Sequence, residues 1–186
     1  GQDRGATVAV RDDVVVAAWR GYVDRAYGIA VDIGSTTIAG HLCDISTGEI
    51  LSSAGRMNPQ IRFGEDLMSR VSYVMMNPEG WAQLTDAVQS AVDELVARLT
   101  VEAGVGRDDV LDLVAVGNPI MHHLLLGLPT EQLALAPFVP AVSGEVTVRC
   151  RDVGLELAPG ARLYLPPVIA GFIGADHVAM LLSTVG

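Results

Sequence analysis

Lysine is missing altogether: the 12 basic side chains among the 186 residues are all arginine. That excludes a Walker A phosphate loop, a Schiff-base nucleophile and any other lysine chemistry within this chain. A GC-rich genome produces the same bias, so the absence excludes chemistry without implying any. Cysteine is almost as scarce. Cys43 and Cys150 stand alone, with no CxxC pair and no His/Cys cluster, so neither a zinc site nor an iron–sulfur cluster is encoded here. Two isolated thiols fit a reducing compartment. Positive charge is in deficit as well. A formal net charge of -10 disfavours nucleic acid, because phosphate binding needs a basic face. No apolar run is long enough to span a bilayer, and the longest, LPPVIAGFIG, is broken by proline and glycine. The first 13 residues are charged and carry no apolar signal core. These absences predict a cytoplasmic protein that binds neither nucleic acid nor membrane.

Half of the residues are hydrophobic and 18% are charged. That is enough apolar surface to offset the chain entropy and to exclude a disordered chain. No glycine period and no sustained heptads appear, which excludes a rod. The length suits one domain, or one lobe of something larger.

Residues 1–13 read as a loose end. Strands are expected at 14–19, 27–33, 37–45 and 49–57 from their β-branched and apolar runs, with Thr47-Gly48 as a turn. Tight turns between the last three predict an antiparallel meander. A helix over 64–76 carries Leu67, Met68, Val71, Val74 and Met75 at helical spacing and stops at Asn77-Pro78. A second follows, with Trp81, Leu84, Val88, Val92, Leu95 and Leu99 on one face and Gly104 at its end. Residues 110–116 form a fourth strand of this set, followed by the helix MHHLLLG. Residues 129–162 are rich in proline and irregular, apart from a strand at 145–149. A last strand, RLYLPPVIA, leads through GFIGAD into a helix over 177–184. The order βββ, ααβα, βα predicts a mixed α/β layer fold with several parallel strands.

The strongest chemical motif is Asp32-Ile33-Gly34-Ser35-Thr36-Thr37. A buried strand delivers a carboxylate, then a glycine that lets backbone approach a ligand, then three hydroxyls. Successive N–H groups in such a turn form an anion-binding nest. Asp32 can hold magnesium through water, since magnesium takes few protein ligands. The competing reading is a plain hairpin with an Asp-Gly turn.

YGIAVDIGSTT, followed by a meander, resembles the phosphate-1 motif of the actin, sugar-kinase and heat-shock chaperone ATPase superfamily. The blocks MNPQIRFGEDLMSRVSY, VGNPIMHHLLLGLP, LAPFVP and LPPVIAGFIGAD narrow the likeness: in order, they resemble reductive activators of corrinoid proteins. The resemblance runs from about Tyr27 to the end. It implies an N-terminal two-iron two-sulfur ferredoxin-like domain, a middle or linker domain and a C-terminal actin-like ATPase domain. It also implies that ATP helps reduce an inactive cobalt(II) corrinoid to cobalt(I). The expected fold is therefore an actin-like (ribonuclease H-like) lobe: a three-stranded antiparallel meander extended by parallel strands, with helices on both faces. Residues 1–26 would be the tail of a preceding domain and 27–186 the first lobe, with the second lobe and the ferredoxin domain outside this chain. Pro119 stands where the family often has threonine after Gly-Asn.

The resemblance implies ATP and magnesium as cofactors at a half-site, with the iron–sulfur cluster elsewhere. Asp32 and Asp176 are the candidate catalytic carboxylates, Asp32 also the magnesium residue. Gly34, Ser35, Thr36, Thr37, Gly117, Asn118 and Gly174 are the candidate nucleotide contacts. Plainer readings stand beside these. Asn118 suits a helix cap with Pro119 at the first position. Asp176 suits a helix start, a placement worth about 0.3–1 kcal/mol. Arg62, Glu65, Asp66 and Arg70 suit either ordinary helix dressing, with Asp66 and Arg70 as an i,i+4 pair, or a contact surface. His122 and His123 are adjacent rather than at ligand spacing, which predicts one packed and one solvated. Expected partners are a corrinoid protein of a methyltransferase system and the second lobe. Apolar turns holding Ile61, Phe63, Phe172 and Ile173 predict a surface on which a second copy docks. Two alternatives are a different actin-like ATPase, such as a 2-hydroxyacyl-CoA dehydratase activator or a small-molecule kinase, and a non-catalytic docking fragment.

Overall fold

A computed structural model describes residues 5–134, 139–169 and 173–184. The chain opens with a hairpin of β1 (Ala6–Arg11) and β2 (Val14–Arg20), which form a two-stranded antiparallel sheet. The segment expected to be loose is thus half strand. Its alternation is weak, and its order comes from partners far along the chain. Gly160 N–H donates to the Val16 carbonyl (2.9 Å), the Trp19 indole to Asp109 (2.6 Å), and Arg11 pairs with Asp112.

The main sheet has six strands. β3 (Tyr27–Ile33), β4 (Thr37–Asp44) and β5 (Ile50–Met57) form the expected antiparallel meander. A 3-10 turn over Pro59–Phe63 then leads to α1 (Leu67–Met76) and α2 (Gly80–Ala103). Asp66 caps α1, its carboxylate accepting from Ser69 N–H (2.7 Å), so the helix begins three residues later than its periodicity suggests. β6 (Val110–Gly117) runs parallel to β3, and α3 (Pro119–Leu125) and the short α4 (Glu131–Ala134) follow. β7 (Val146–Arg149) and β8 (Arg162–Leu165) complete the sheet in the order β5-β4-β3-β6-β8-β7, with β8 parallel to β6. The last strand stops at Leu165 because Pro166 and Pro167 have no N–H for a ladder. α5 (Ala175–Thr184) ends the described chain. The expected α/β lobe, a meander extended by parallel strands, is the fold found.

One face of the sheet is sealed by α2, which packs on β4 and β5. Ile29, Val31 and Ile33 point there, as do their partners Leu42 and Ile38. They meet Leu84, Val88, Val92, Leu95 and Leu99, all at most 2% exposed. Each such side chain contributes about 1.5–3 kcal/mol on burial. The alternate residues Ala30 and Asp32 face the other way and are exposed. α5 meets β6. Otherwise this second face holds an open depression of about 750 Å³. Among the described residues, no helix is long and apolar enough to cross a membrane.

Candidate functional site

Three parallel strands, β3, β6 and β8, end on the same edge of the lobe. Ligands of open α/β sheets gather outside such carboxyl ends. The turn at 34–37 follows β3, Asn118 follows β6, and the segment that leads to α5 follows β8. Gly174 lies against the second of these: a Cβ added there would sit 2.4 Å from the Gly117 carbonyl oxygen and 2.5 Å from Asn118 Cα. Only a residue without a side chain allows that approach. Gly34, Ser35, Thr36, Thr37, Gly117, Asn118, Gly174, Asp32 and Asp176 therefore occupy one region. Gly171 and Phe172, and residues 135–138 of LAPFVP, lie outside the described residues.

The turn has a definite polarity. The Gly34 carbonyl accepts from Asn58 Nδ2 (2.9 Å), the Ser35 carbonyl from Arg70 Nη2 (2.6 Å), and the Thr36 carbonyl from Asn58 N–H (2.8 Å). In a planar trans peptide the N–H points opposite to the carbonyl before it. Carbonyls drawn inward thus turn the N–H groups of Ser35, Thr36 and Thr37 outward. Those of Ser35 and Thr36 have no acceptor among the described residues. Thr36 and Thr37 are exposed and Ser35 is half-buried. The Gly34 N–H is different: it donates to the Thr37 carbonyl (3.0 Å), so it is spent on the turn. A Cβ on Gly34 would lie 2.7 Å from that same oxygen, so the tightness of the turn requires the glycine.

Asp176 lies near enough to Asp32 to act on its charge. Burial and then the charge of Asp176 hold the Asp32 carboxyl above the usual carboxylate range. A carboxylate whose charge is opposed by burial and by a second carboxylate suits a cation beside it. Asp176 lies in the first turn of α5, and its Oδ1 accepts from His177 N–H (2.9 Å). Asn118 is a helix cap: its Oδ1 accepts from Ile120 N–H (3.1 Å) and Met121 N–H (3.0 Å).

Several expectations change. Arg70 does not pair with Asp66. It is fully buried, and besides Ser35 it donates to the Gly64 carbonyl (3.0 Å) and to Gln60 Oε1 (3.2 Å). His122 and His123 are both buried, because all seven residues of α3 are. His123 accepts at Nε2 from Ala141 N–H (3.0 Å), so Nδ1 donates to the Pro119 carbonyl (2.7 Å). Neither ring nitrogen of His122 has a partner among the described residues. In segment 58–64 Asn58 and Gln60 are buried and Ile61 and Phe63 half-buried, Phe63 against Tyr73 with ring centroids 5.1 Å apart. Ile173 remains 42% exposed. In the sequence Asn58-Pro59 marks only the end of the meander, and nothing local shows that Asn58 and Gln60 support the turn at 34–37.

Other places in the molecule fit less well. The depression on the open sheet face is lined by Gly28, Ala30, Cys43, Ile45, Val114 and Tyr164, and by Arg11, whose guanidinium is engaged by Asp112. An iron–sulfur cluster does not fit this chain. Cys150 is buried, with its thiol pushed up to about 12 mainly by that burial, and Cys43 is its only fellow. Among the described residues no three His, Cys, Asp or Glu side chains group to hold a metal.

Comparison with known proteins agrees on one family. The chain matches the family described as RACo middle region over residues 27–185. It is 35% identical over 157 residues to the corrinoid activation enzyme RamQ of Eubacterium limosum, covering 84% of this chain and 26% of that protein. It is 26% identical over 167 residues to a [Co(II) methylated amine-specific corrinoid protein] reductase of Methanosarcina barkeri, covering 85% of this chain and 30% of that one. A solved structure named as a reductive activator for corrinoid, iron-sulfur protein superposes with a TM-score of 0.87 at 32% identity, over 95% of this chain and 29% of that chain. The chain thus spans under a third of the length of each of these relatives. By the extent of the match and the agreement of fold, the chain belongs to the RACo middle region family.

Proposed function

We propose that the chain is the first lobe of the ATPase domain in an ATP-dependent reductive activase, which returns a corrinoid protein of a methyltransferase system to cobalt(I). The observation that carries this reading is the turn at 34–37, whose carbonyls are tied inward and whose N–H groups face out beside Asp32. The names of the relatives supply the corrinoid protein as partner. A second lobe would complete the nucleotide cleft, and the iron–sulfur cluster would lie in a separate ferredoxin-like domain. Two free thiols suit the cytoplasm.

In this reading the outward N–H groups and hydroxyls of Ser35, Thr36 and Thr37 hold phosphate oxygens. Asp32 would hold magnesium through water, and Asp176 would hold a water or the ion. Asn118 borders the cleft while capping α3. Magnesium-ATP, when bound, supplies the phosphoryl bond whose cleavage is coupled to uphill electron transfer.

The test is Asp32→Ala in the whole protein. ATP hydrolysis and ATP-dependent appearance of cobalt(I), followed by its absorption spectrum, should both be lost with the fold intact. Wild-type turnover in that variant would remove Asp32 from the mechanism.

A further inference from the structure

Arg70 is an unusual buried group. Its side chain is fully buried on α1, yet none of its donors reaches a carboxylate among the described residues. Its hydrogen bonds go to neutral acceptors: the carbonyls of Ser35 and Gly64, and Gln60 Oε1, with Met121 Sδ at 4.0 Å. Charged side chains are almost never fully buried without a paired opposite charge, because desolvation is costly. Asp66 acts on Arg70 only at a distance, its carboxylate being bound to Ser69.

The geometry points to Arg70 as the positioning residue of the phosphate turn, which fixes the Ser35 peptide with its N–H face outward and leaves its own charge for a bound anion to neutralise. Three features support this. The contact to Ser35 is short, 2.6 Å, as charge-assisted bonds are. It bridges 35 residues of sequence to one peptide of the turn, so it ties α1 to the turn rather than serving α1. Gln60, which orients the guanidinium through Nη1, is itself fixed by donating to the Leu84 carbonyl (2.8 Å) of α2. A planar guanidinium spans Ser35, Gly64 and Gln60 at once, which the point charge of a lysine does not.

The inference rests on the phosphate reading of the turn, and the test separates the two. Amide exchange and inorganic pyrophosphate titrations are followed by NMR on the full 186-residue chain, wild type and Arg70→Gln. Val92→Ala, a core truncation on α2, controls for general loss of stability. Loss of a charge-assisted bond should speed exchange at the bonded amides of the turn, Gly34 and Asn58, and weaken pyrophosphate binding, each by roughly tenfold to a hundredfold. Arg70→Lys should restore part of the affinity by its charge while the turn amides still exchange fast. Val92→Ala should change neither. Wild-type exchange and affinity in Arg70→Gln would overturn the inference. If pyrophosphate leaves the wild-type turn untouched while Arg70→Gln still speeds its exchange, the positioning role stands and the phosphate reading fails. Should Arg70→Gln not fold, Arg70→Lys decides: faster exchange at the turn supports the role, and wild-type exchange ends it.

Discussion

Asn58 holds Gly34 and its turn at two points. Its Nδ2 donates to the Gly34 carbonyl (2.9 Å), and its backbone N–H donates two residues further on, to Thr36 (2.8 Å). The side chain is fully buried, and its Oδ1 also accepts from Gln60 N–H (3.0 Å). Asn58→Ala would leave two buried backbone groups without partners, at about 1–3 kcal/mol each. Asn118→Ala removes only a helix cap, worth about 1 kcal/mol. Urea unfolding should therefore rank Asn58→Ala well below Asn118→Ala in stability. The reverse order would mean that the turn is not held from beneath.

Asp32 predicts a stability that runs against function. Folded, it binds its proton more tightly than in the unfolded chain, through burial and then Asp176. Unfolding then releases protons, so stability falls as pH rises through the usual carboxylate range to the raised folded value, and stays lower above it. Asp32→Asn should raise the Tm of the cation-free protein near neutral pH. The gain should vanish near about pH 3, where both forms are protonated. Melting curves at the two pH values measure this. A lower Tm at neutral pH in the variant would show that the ionised carboxylate is a stabilising group.

His122 predicts the opposite slope. Burial, and then His123, push it from 6.5 down to about 4, and among the described residues neither ring nitrogen has a partner. The unfolded chain therefore takes up the proton first. Stability is lost as pH falls from about 6.5 toward about 4. His122→Leu removes both the titration and two orphaned polar atoms, so it should stabilise the chain and flatten this part of its pH profile. An unchanged profile would move the acid sensitivity to His123 or to the carboxylates.

Local patterning made much of this molecule legible. The meander was readable because each strand is a short β-branched run ended by a turn residue. α2 was readable because Leu84, Val88, Val92, Leu95 and Leu99 keep one face over 24 residues. What escaped depends on partners distant in sequence. β1 looks like a charged end until β2 and Asp112 are placed beside it. Arg70 looks like the basic half of an i,i+4 pair, and nothing local says that Ser35 lies within reach. α3 gave a usable hint: PIMHHLL is apolar on every side, and a helix of that kind is buried all round. His122 and His123 are carried inside with it. The candidate turn was found by its motif, but the direction of its N–H groups needed Asn58 and Arg70 in place.

The most direct test of the account is a magnesium-ATP titration of the 186-residue chain, with calorimetry for affinity and amide NMR for position. One phosphate turn without an adenosine pocket should bind very weakly. The shifts should be confined to Ser35, Thr36 and Thr37 and to their neighbours at Asp32, Asn118 and Gly174. Micromolar affinity would show a complete nucleotide site and contradict the half-site. Shifts centred on Gly28, Cys43 and Val114, with none at the turn, would place any anion on the open sheet face and contradict the phosphate role of residues 34–37.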